Sequence, residues 1–296
     1  MPSRPQPPEP HPTLARHWRS RFGERVHRVS LDAGLSCPNR DGTLGRSGCA
    51  FCDPASFSPA AGDPRPVAEQ LADGIRRLRR RGVRKVAAYF QPHTNTHGPL
   101  PRLRAAWDAV LPFPEVVALC VGTRPDAVPD PVLDLLAGYA GRLEVWLELG
   151  LQSAHDATLE RLGRGHTVAD FVDACQRARQ RGLLVCAHVI LGLPGETPDH
   201  EAATAGLLAG LGVDGVKLHQ LAVVRGTRLE GAWRRGEVEP LTEAAYARRA
   251  AAFVRRLPAR TVLHRLVGDT DPERLLAPRF DKARVLRAIR AGLEVG

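Results

Sequence analysis

The segment that decides the fold is rich in cysteine and glycine and directly follows the first predicted strand. It reads Cys37-Pro-Asn-Arg-Asp-Gly-Thr-Leu-Gly-Arg-Ser-Gly-Cys49-Ala-Phe-Cys52, a C-x11-C-x2-C arrangement. Its glycines permit a tight loop that brings backbone close to a bound group. Three thiolates are one fewer than the four ligands of a closed structural zinc site. They can instead hold three corners of a [4Fe–4S] cluster and leave the fourth iron open to an exogenous ligand.

Two other interpretations of this loop stay open at the level of sequence. The three cysteines could bind zinc, with His27 or a distant residue as fourth ligand, because C-x2-C pairs are common in zinc sites. They could also be ordinary thiols, although their clustering in a glycine-rich loop disfavours this. The remaining cysteines lie at apolar positions and are predicted to be buried core thiols: Cys120, Cys175 and Cys186.

Outward from the loop, apolar runs of strand length alternate with segments of helix length. The predicted strands cover residues 26–32, 85–91, 116–121, 143–151, 183–191 and 214–222. Parallel strands need crossover connections, and the predicted helices between the strands supply them, so we expect an α/β fold with a parallel sheet. An open doubly wound sheet and a partial (βα) barrel both fit this pattern.

The chain is predicted to divide into three parts. Residues 1–20 are predicted to be a disordered tail, because the first 12 residues contain six prolines and no apolar run. Residues 21–225 carry the alternating pattern and form the core barrel. Residues 226–296 are predicted to be a small α/β C-terminal extension packed on the core, with a helix at 241–257, a strand at 261–267 and a helix at 281–293.

Polar side chains recur at alternate positions of the predicted strands. Glu148 and Gln152 share one face of their strand, and Lys217 and His219 share one face of another, because side chains alternate along a strand. Buried polar groups need partners, so each of these residues could belong to a structural network. As a set they favour a site inside a barrel, at the carboxyl ends of the strands.

Composition and charge narrow the class of protein. With 43% hydrophobic and 25% charged residues, general disorder and a coiled-coil rod are excluded. We see no membrane span, no signal peptide and no disulfide framework among six cysteines, and we therefore expect a cytoplasmic protein. The net charge of +10 favours anionic partners. The densest basic run, residues 76–85, is either a solvated helix face or an RNA contact.

Several segments together resemble the radical S-adenosylmethionine (SAM) superfamily, and most closely its YhcC-like group, which is related to the catalytic subunit of Elongator. The resemblance runs from about Arg25 to the C-terminus. It is carried by residues 30–43, 89–96, 122–126, 147–153, 161–166 and 190–196. It implies a partial (βα)6 TIM-like barrel and a [4Fe–4S] cluster held by Cys37, Cys49 and Cys52, whose open iron is chelated by SAM.

The resemblance also implies residues that contact the cofactor. Gln152 and Arg164 occupy positions that contact the ribose and carboxylate region of SAM, and Ile190 would pack on adenine. His188 takes a polar position beside Ile190. Further candidate contacts follow the third strand, at Thr123 and Arg124. The Gly-Gly-Glu motif that many relatives carry after the second strand is absent, and Tyr-Phe-Gln-Pro-His-Thr-Asn-Thr stands there instead.

The function that the resemblance implies is reductive cleavage of SAM to a 5′-deoxyadenosyl radical that abstracts hydrogen from a substrate. The basic charge and the relationship to Elongator favour tRNA, at a wobble uridine, as the substrate. The expected partners are tRNA and an electron donor such as flavodoxin or ferredoxin. Two alternatives are a radical SAM enzyme that acts on a small metabolite or peptide, and a zinc-stabilised RNA-binding protein without catalysis.

Overall fold

A computed structural model describes residues 11–294, which form a parallel sheet flanked by helices. The strands are β1 (Val26–Leu31), β2 (Lys85–Phe90), β3 (Val116–Thr123), β4 (Glu144–Gln152), β5 (Leu184–Leu191), β6 (Gly215–Gln220), β7 (Val223–Val224), β8 (Val262–Arg265) and β9 (Leu275–Ala277). The helices are α1 (Leu14–Phe22), α2 (Pro38–Asp41), α3 (Pro54–Phe57), α4 (Val67–Arg79), α5 (Leu100–Asp108), α6 (Asp130–Ala137), α7 (Asp156–Arg161), α8 (Val168–Gln180), α9 (Pro198–Leu211), α10 (Arg228–Arg234), α11 (Glu243–Arg255) and α12 (Lys282–Glu294).

The main sheet has seven strands in the order β1-β2-β3-β4-β5-β6-β8, and all neighbours are parallel. The sheet curls into a half-barrel, which confirms the predicted partial barrel and excludes the open doubly wound sheet. All nine residues of β4 are buried. Outer helices cover one face of this strand and the barrel interior covers the other, which explains why its sequence is nearly continuous in apolar residues.

The C-terminal part of the chain contributes a strand to the same sheet. β8 pairs in parallel with β6, with Gly215 opposite Val262 and Val216 opposite Leu263. Helix α11 provides the crossover that this parallel pairing requires and packs against α12. The sequence predicts this strand within an extension, whereas the structure shows that it is the seventh strand of the barrel sheet.

Helix α1 packs against β1 and β8 at the amino ends of the strands. The prediction of a disordered tail over residues 1–20 is therefore wrong from Leu14 onward, while residues 1–10 lie outside the described residues. The reason is burial: Trp18 is only 2% exposed, and its indole N–H donates to Glu144 Oε1 at 2.7 Å. Trp146 donates to the same oxygen at 2.7 Å, and Arg21 Nε lies 2.7 Å from Glu144 Oε2.

The predicted core thiols lie inside the fold, and the basic run lies on its surface. Cys120, Cys175 and Cys186 are buried, as predicted. The basic run covers the end of α4 and the loop into β2, at the amino ends of the strands. Several of its arginines form surface ion pairs, as in the pair between Arg84 and Glu24 at 3.0 Å. Among the described helices, none has the length and apolar character needed to cross a membrane.

Candidate functional site

A cavity of about 200 Å³ lies at the carboxyl ends of the barrel strands. Loops that follow β1 and β2 and the ends of β3 to β6 form its walls. All nine predicted metal-binding and cofactor-binding residues line it: Cys37, Cys49, Cys52, Thr123, Arg124, Gln152, Arg164, His188 and Ile190. The structure thus brings these residues together, and the role of each one stays a prediction.

The cysteine loop is held in shape by its own backbone. Cys37 is the N-cap of α2, and Gly42 ends that short helix in the left-handed conformation, with φ 98°. Two backbone hydrogen bonds then fold the chain back on α2, from Leu44 to Pro38 O at 2.8 Å and from Gly48 to Asn39 O at 2.8 Å. The fold of the loop explains how cysteines separated by 12 positions can face one cavity.

Cys49 lies beside two polar side chains that act as hydrogen-bond donors. Its Sγ accepts hydrogen bonds from Asn39 Nδ2 at 3.4 Å and from Arg164 Nη1 at 3.2 Å. Burial alone would raise the pKa of Cys49, but the positive charge of Arg164 and these hydrogen bonds lower it below the usual value. Burial and the neighbouring Cys49 raise the pKa of Cys52 to about 12. Of Cys49 and Cys52, Cys49 is therefore the thiol that ionises more readily.

The three thiols share the cavity and do not converge on one point. Within residues 11–294, no three His, Cys, Asp or Glu side chains lie close enough together to hold a single metal ion. A [4Fe–4S] cluster is held by one thiolate on each ligated iron, so its ligands need not meet at one atom. The donor chemistry and the common cavity fit such a cluster, and Cys37, Cys49 and Cys52 are the residues that would hold it.

Arg164 connects the cysteine loop to the end of β4. Besides Cys49 Sγ, its guanidinium reaches Gly150 O at 2.8 Å and His166 Nε2 at 3.2 Å. Arg124 in turn donates to the carbonyl oxygen of Arg164 at 2.6 Å. The guanidinium of Arg164 has five N–H donors, and these contacts leave two of them for a ligand.

Two residues of the cavity wall have an unusual backbone conformation. Among residues 11–294, His93 and Gln152 are the only residues other than glycine with positive φ, at 64° and 73°. Such a conformation costs a residue with a Cβ atom about 1–2 kcal/mol, and strained residues cluster at functional sites. His93 Nδ1 is buried without a hydrogen-bond partner in the described part of the chain. His93 was missed by sequence reasoning, because no local sequence signal marks a strained backbone.

The loop that contains His93 is fixed to the neighbouring strand. Thr96 Oγ1 lies 2.5 Å from Thr123 Oγ1, and Asn95 Nδ2 donates to Gly122 O at 3.0 Å. Thr123 therefore has a protein partner in addition to its position on the cavity wall. The loop takes the place of the absent Gly-Gly-Glu motif and lines the cavity with His93 and Thr94.

An apolar wall lies beside the cysteine loop. Ile190 is 7% exposed and belongs to a cluster with Leu193, Leu221 and Leu162, against which Phe51 packs. Since Phe51 stands between Cys49 and Cys52 in sequence, this cluster attaches the cysteine loop to β5. A flat apolar ring could pack against this wall, as the predicted role of Ile190 requires.

A buried carboxylate network forms the inner end of the cavity. Glu148 has no exposed surface, and its Oε2 accepts three hydrogen bonds. The donors are Tyr89 OH at 2.9 Å, His188 Nε2 at 2.7 Å and Lys217 Nζ at 3.1 Å. One ring nitrogen of His188 is therefore used by Glu148, and only Nδ1 could meet a cofactor.

The other oxygen of Glu148 faces the two edge strands of the half-barrel. Arg28 Nη1 of β1 and His264 Nδ1 of β8 each lie 3.4 Å from Oε1. Burial alone would raise the pKa of Glu148, but the positive charge of Lys217 and the hydrogen bond from His188 hold it well below its usual value. The sequence indicated Glu148 and Lys217 by their alternation, but nothing in it indicated Arg28 or His264 as their neighbours.

Comparisons with known proteins agree with this geometry. The profile of the Radical SAM superfamily matches residues 40–208, and the profile of the Radical_SAM C-terminal domain matches residues 213–294. Protein YhcC of Escherichia coli K12 is 45% identical over 259 residues, which are 87% of this chain and 83% of that protein.

More distant similarity links the chain to larger proteins. The tRNA uridine(34) acetyltransferase of Methanocaldococcus jannaschii is 32% identical over 141 residues, 43% of this chain and 24% of that enzyme. The structure of the archaeal Methanocaldococcus infernus Elp3 superposes with a TM-score of 0.70 at 20% identity, over 91% of this chain and 63% of that one. This last similarity shows the fold alone. By its profile matches and its identity to YhcC, the chain belongs to the radical SAM superfamily and, within it, to the YhcC-like group.

Proposed function

We propose that this protein binds a [4Fe–4S] cluster through Cys37, Cys49 and Cys52, binds SAM beside it, and uses the two to modify tRNA at a wobble uridine. One observation carries the proposal. Three thiols, the strained Gln152 and the network around Glu148 all face one cavity at the carboxyl ends of the strands. This is the end of a βα barrel at which active sites are built.

The chain's own side chains have separable tasks in this proposal. Cys37, Cys49 and Cys52 would hold the cluster, which, once reduced, would supply the electron for cleavage of SAM and so the hydrogen-abstracting radical that the reaction needs. The guanidinium of Arg164 stabilises the Cys49 thiolate and positions the cysteine loop against β4. The apolar wall around Ile190 excludes water from the space where a radical would form.

The cofactor part of the proposal is tested by single cysteine variants purified without oxygen. We expect the wild type to contain iron and sulfide and to form 5′-deoxyadenosine from SAM when dithionite is added. Cys37→Ala, Cys49→Ala and Cys52→Ala should each lose product formation. Cys175→Ala is the matched control, because this buried thiol lies on α8 and does not line the cavity. Stoichiometric zinc without iron, or normal product from any of the three variants, would contradict the proposal.

Two observations support tRNA as the substrate. A relative that matches 43% of this chain is named for uridine 34 of tRNA. The chain also carries a net charge of +10, which favours a polyanion. Exposed arginines lie near the cavity, with Arg46 inside the cysteine loop and Arg225 directly after the cavity-lining Val224. Arginine is well suited to phosphate contacts because its donors bind oxygens in pairs.

The position of the arginines makes tRNA binding testable. We expect the Arg46→Ala, Arg225→Ala double variant to weaken tRNA binding and to reduce the salt dependence by about one counterion for each phosphate that is no longer neutralised. Arg80→Ala, Arg81→Ala is the matched control, since these exposed residues follow α4 at the amino ends of the strands. If the control variant loses as much affinity as the test variant, the cavity does not face the RNA.

The identity of the reaction needs a measurement in cells. Mass spectrometry of tRNA nucleosides from a deletion strain should show a wobble uridine that lacks its modification, restored by the wild-type gene and not by Cys49→Ala. Reduction of the cluster requires an electron donor, for which we expect a flavodoxin or a ferredoxin. Unchanged nucleosides, together with a lack of tRNA binding at low salt, would favour a small metabolite or peptide as substrate.

A further inference from the structure

The inner end of the cavity contains more positive than negative charge. Lys217 is 1% exposed, and its Nζ lies 2.6 Å from Tyr89 OH and 3.1 Å from Glu148 Oε2. Arg28 reaches the other oxygen of the same carboxylate at 3.4 Å. Arg265, the other cation near Lys217, is paired with the cavity-lining Asp269 at 3.5 Å. Lys217 and Arg28 are therefore left to share the carboxylate of Glu148, and incomplete compensation of a buried charge is costly.

The protonation states of the neighbouring groups keep this imbalance at neutral pH. Burial lowers the pKa of Lys217 to about 8, so the amine is still mostly protonated. Burial lowers the pKa of His188 to about 4 and the pKa of His219 well below its usual value, so both rings are neutral. Burial raises the pKa of Tyr89 well above its usual value. Neither the rings nor the phenol therefore offset the second positive charge.

Hydrogen-bond donors remain available at this place. The ammonium group of Lys217 has three N–H donors, of which Tyr89 and Glu148 receive two. Oε2 of Glu148 already accepts three hydrogen bonds from protein donors. His219 lines the cavity, and no side chain or backbone group of residues 11–294 is hydrogen-bonded to its ring.

The backbone is adapted to the position of the His219 ring. A Cβ atom at Gly268 would lie 2.9 Å from His219 Nδ1, closer than real Cβ contacts allow. Gly268 is itself held by Gln220, which accepts from its N–H at 2.8 Å. Gly268 in the loop after β8 thus leaves space for the imidazole of His219, to which no described protein group is hydrogen-bonded.

We infer that Lys217 and His219 form a binding site for a small oxyanion, a carboxylate or phosphate group of the molecule that enters the cavity. The anion would supply the missing negative charge and accept the free N–H of Lys217, a charge-assisted hydrogen bond. The inference deepens the proposed function, on which it rests for the identity of the ligand, because it names a chemical group that either SAM or the substrate must present there.

The site can be probed without turnover by fluorine NMR of trifluoroacetate, a carboxylate small enough for the cavity. We expect anaerobically purified wild type to broaden the signal, and acetate or inorganic phosphate at constant ionic strength to restore it. Lys217→Met should weaken binding about tenfold, as expected for the loss of one charged hydrogen bond. Lys85→Met is the control, because Lys85 is at the start of β2, outside the cavity, where its Nζ donates to Phe22 O at 2.9 Å.

Two further measurements keep the test decisive. If Lys217→Met does not fold, Lys217→Arg, which retains the positive charge, should still broaden the trifluoroacetate signal. The competition by acetate is measured on the wild type and needs no variant. Equal broadening by wild type and folded Lys217→Met, or a failure of both acetate and phosphate to compete in wild type, would overturn the inference.

The source of the anion is decided by adding SAM. If SAM provides the carboxylate, saturating SAM will abolish the broadening, and Lys217→Met will bind SAM about tenfold more weakly. If the substrate provides it, the broadening will persist with SAM bound and SAM affinity will be unchanged in Lys217→Met. Formation of 5′-deoxyadenosine by wild type is measured separately, so a failure of the proposed function is distinguishable from a failure of the anion site.

Discussion

Replacement of Gln152 separates the stability of the fold from binding at the site. Gln152 has φ 73°, in the left-handed region. This conformation costs a residue with a Cβ atom about 1–2 kcal/mol. Glycine avoids that cost, although it loses about 0.5–1 kcal/mol relative to alanine through the greater entropy of the unfolded chain. The midpoints of the two costs predict that Gln152→Gly is more stable than Gln152→Ala by about 0.8 kcal/mol, which reverses the usual order of these residues.

The assay is urea unfolding of both variants and of a control pair. In the control, Ala288→Gly at an exposed position in the middle of α12 should lose about 1 kcal/mol relative to wild type, because glycine is unfavourable in a helix interior. Both Gln152 variants lack the amide and should bind SAM more weakly than wild type. If Gln152→Ala equals or exceeds Gln152→Gly in stability, the left-handed backbone is not strained and the reasoning from strain to function fails.

Three further predictions concern the lower end of the barrel and the end of β4. Glu144→Ala should reduce the free energy of unfolding by about 2–5 kcal/mol in urea denaturation, because the indoles of Trp18 and Trp146 lose their acceptor. Burial would raise the pKa of Glu144, but the hydrogen bonds that its carboxylate accepts hold this pKa below 4.5. The stabilisation that the carboxylate gives to the fold is therefore complete above pH 4.5. It should decline as the pH falls through the lower pKa of the folded state. Urea midpoints between pH 3 and 6 should therefore vary less in Glu144→Gln than in wild type, and equal slopes would contradict this. Gly150→Ala should impair SAM binding in equilibrium dialysis and leave the fold intact, because the new Cβ atom would lie 2.8 Å from Gln152 Nε2 and displace that side chain. Unchanged SAM affinity would show that the Gln152 amide does not bind SAM.

Sequence reasoning predicted the positions of the site residues better than their partners. The predicted residues after strand ends meet in one cavity because the carboxyl ends of parallel strands lie at the same edge of a sheet. The partners of Glu148 could not be predicted, since Arg28 is 120 positions away in sequence. Arg28 also donates to His264 O at 3.4 Å, across 236 positions. Curling of the sheet brings β1 and β8 to the same carboxylate, and no local pattern encodes that closure.

The N-terminal tail also shows that sequence patterns do not predict long-range contacts. Proline content and the lack of an apolar run predicted disorder over residues 1–20, yet Leu14–Phe22 forms α1. Its mean character is polar, but Trp18 finds an acceptor in Glu144, 126 positions later, and a place in the core. Composition describes a segment in isolation, while burial depends on the surface that the rest of the chain offers to it.

The amino-acid sequence alone determined the alternation of strands and helices, the cysteine loop and the membership of the chain in a family, because periodicity and motif spacing are local properties. The tertiary structure decided which side chains face the cavity, which histidines burial keeps neutral, and where two positive charges share one carboxylate. These properties depend on burial and on contacts between residues far apart in sequence, and both exist only once the sheet has curled and its ends are covered.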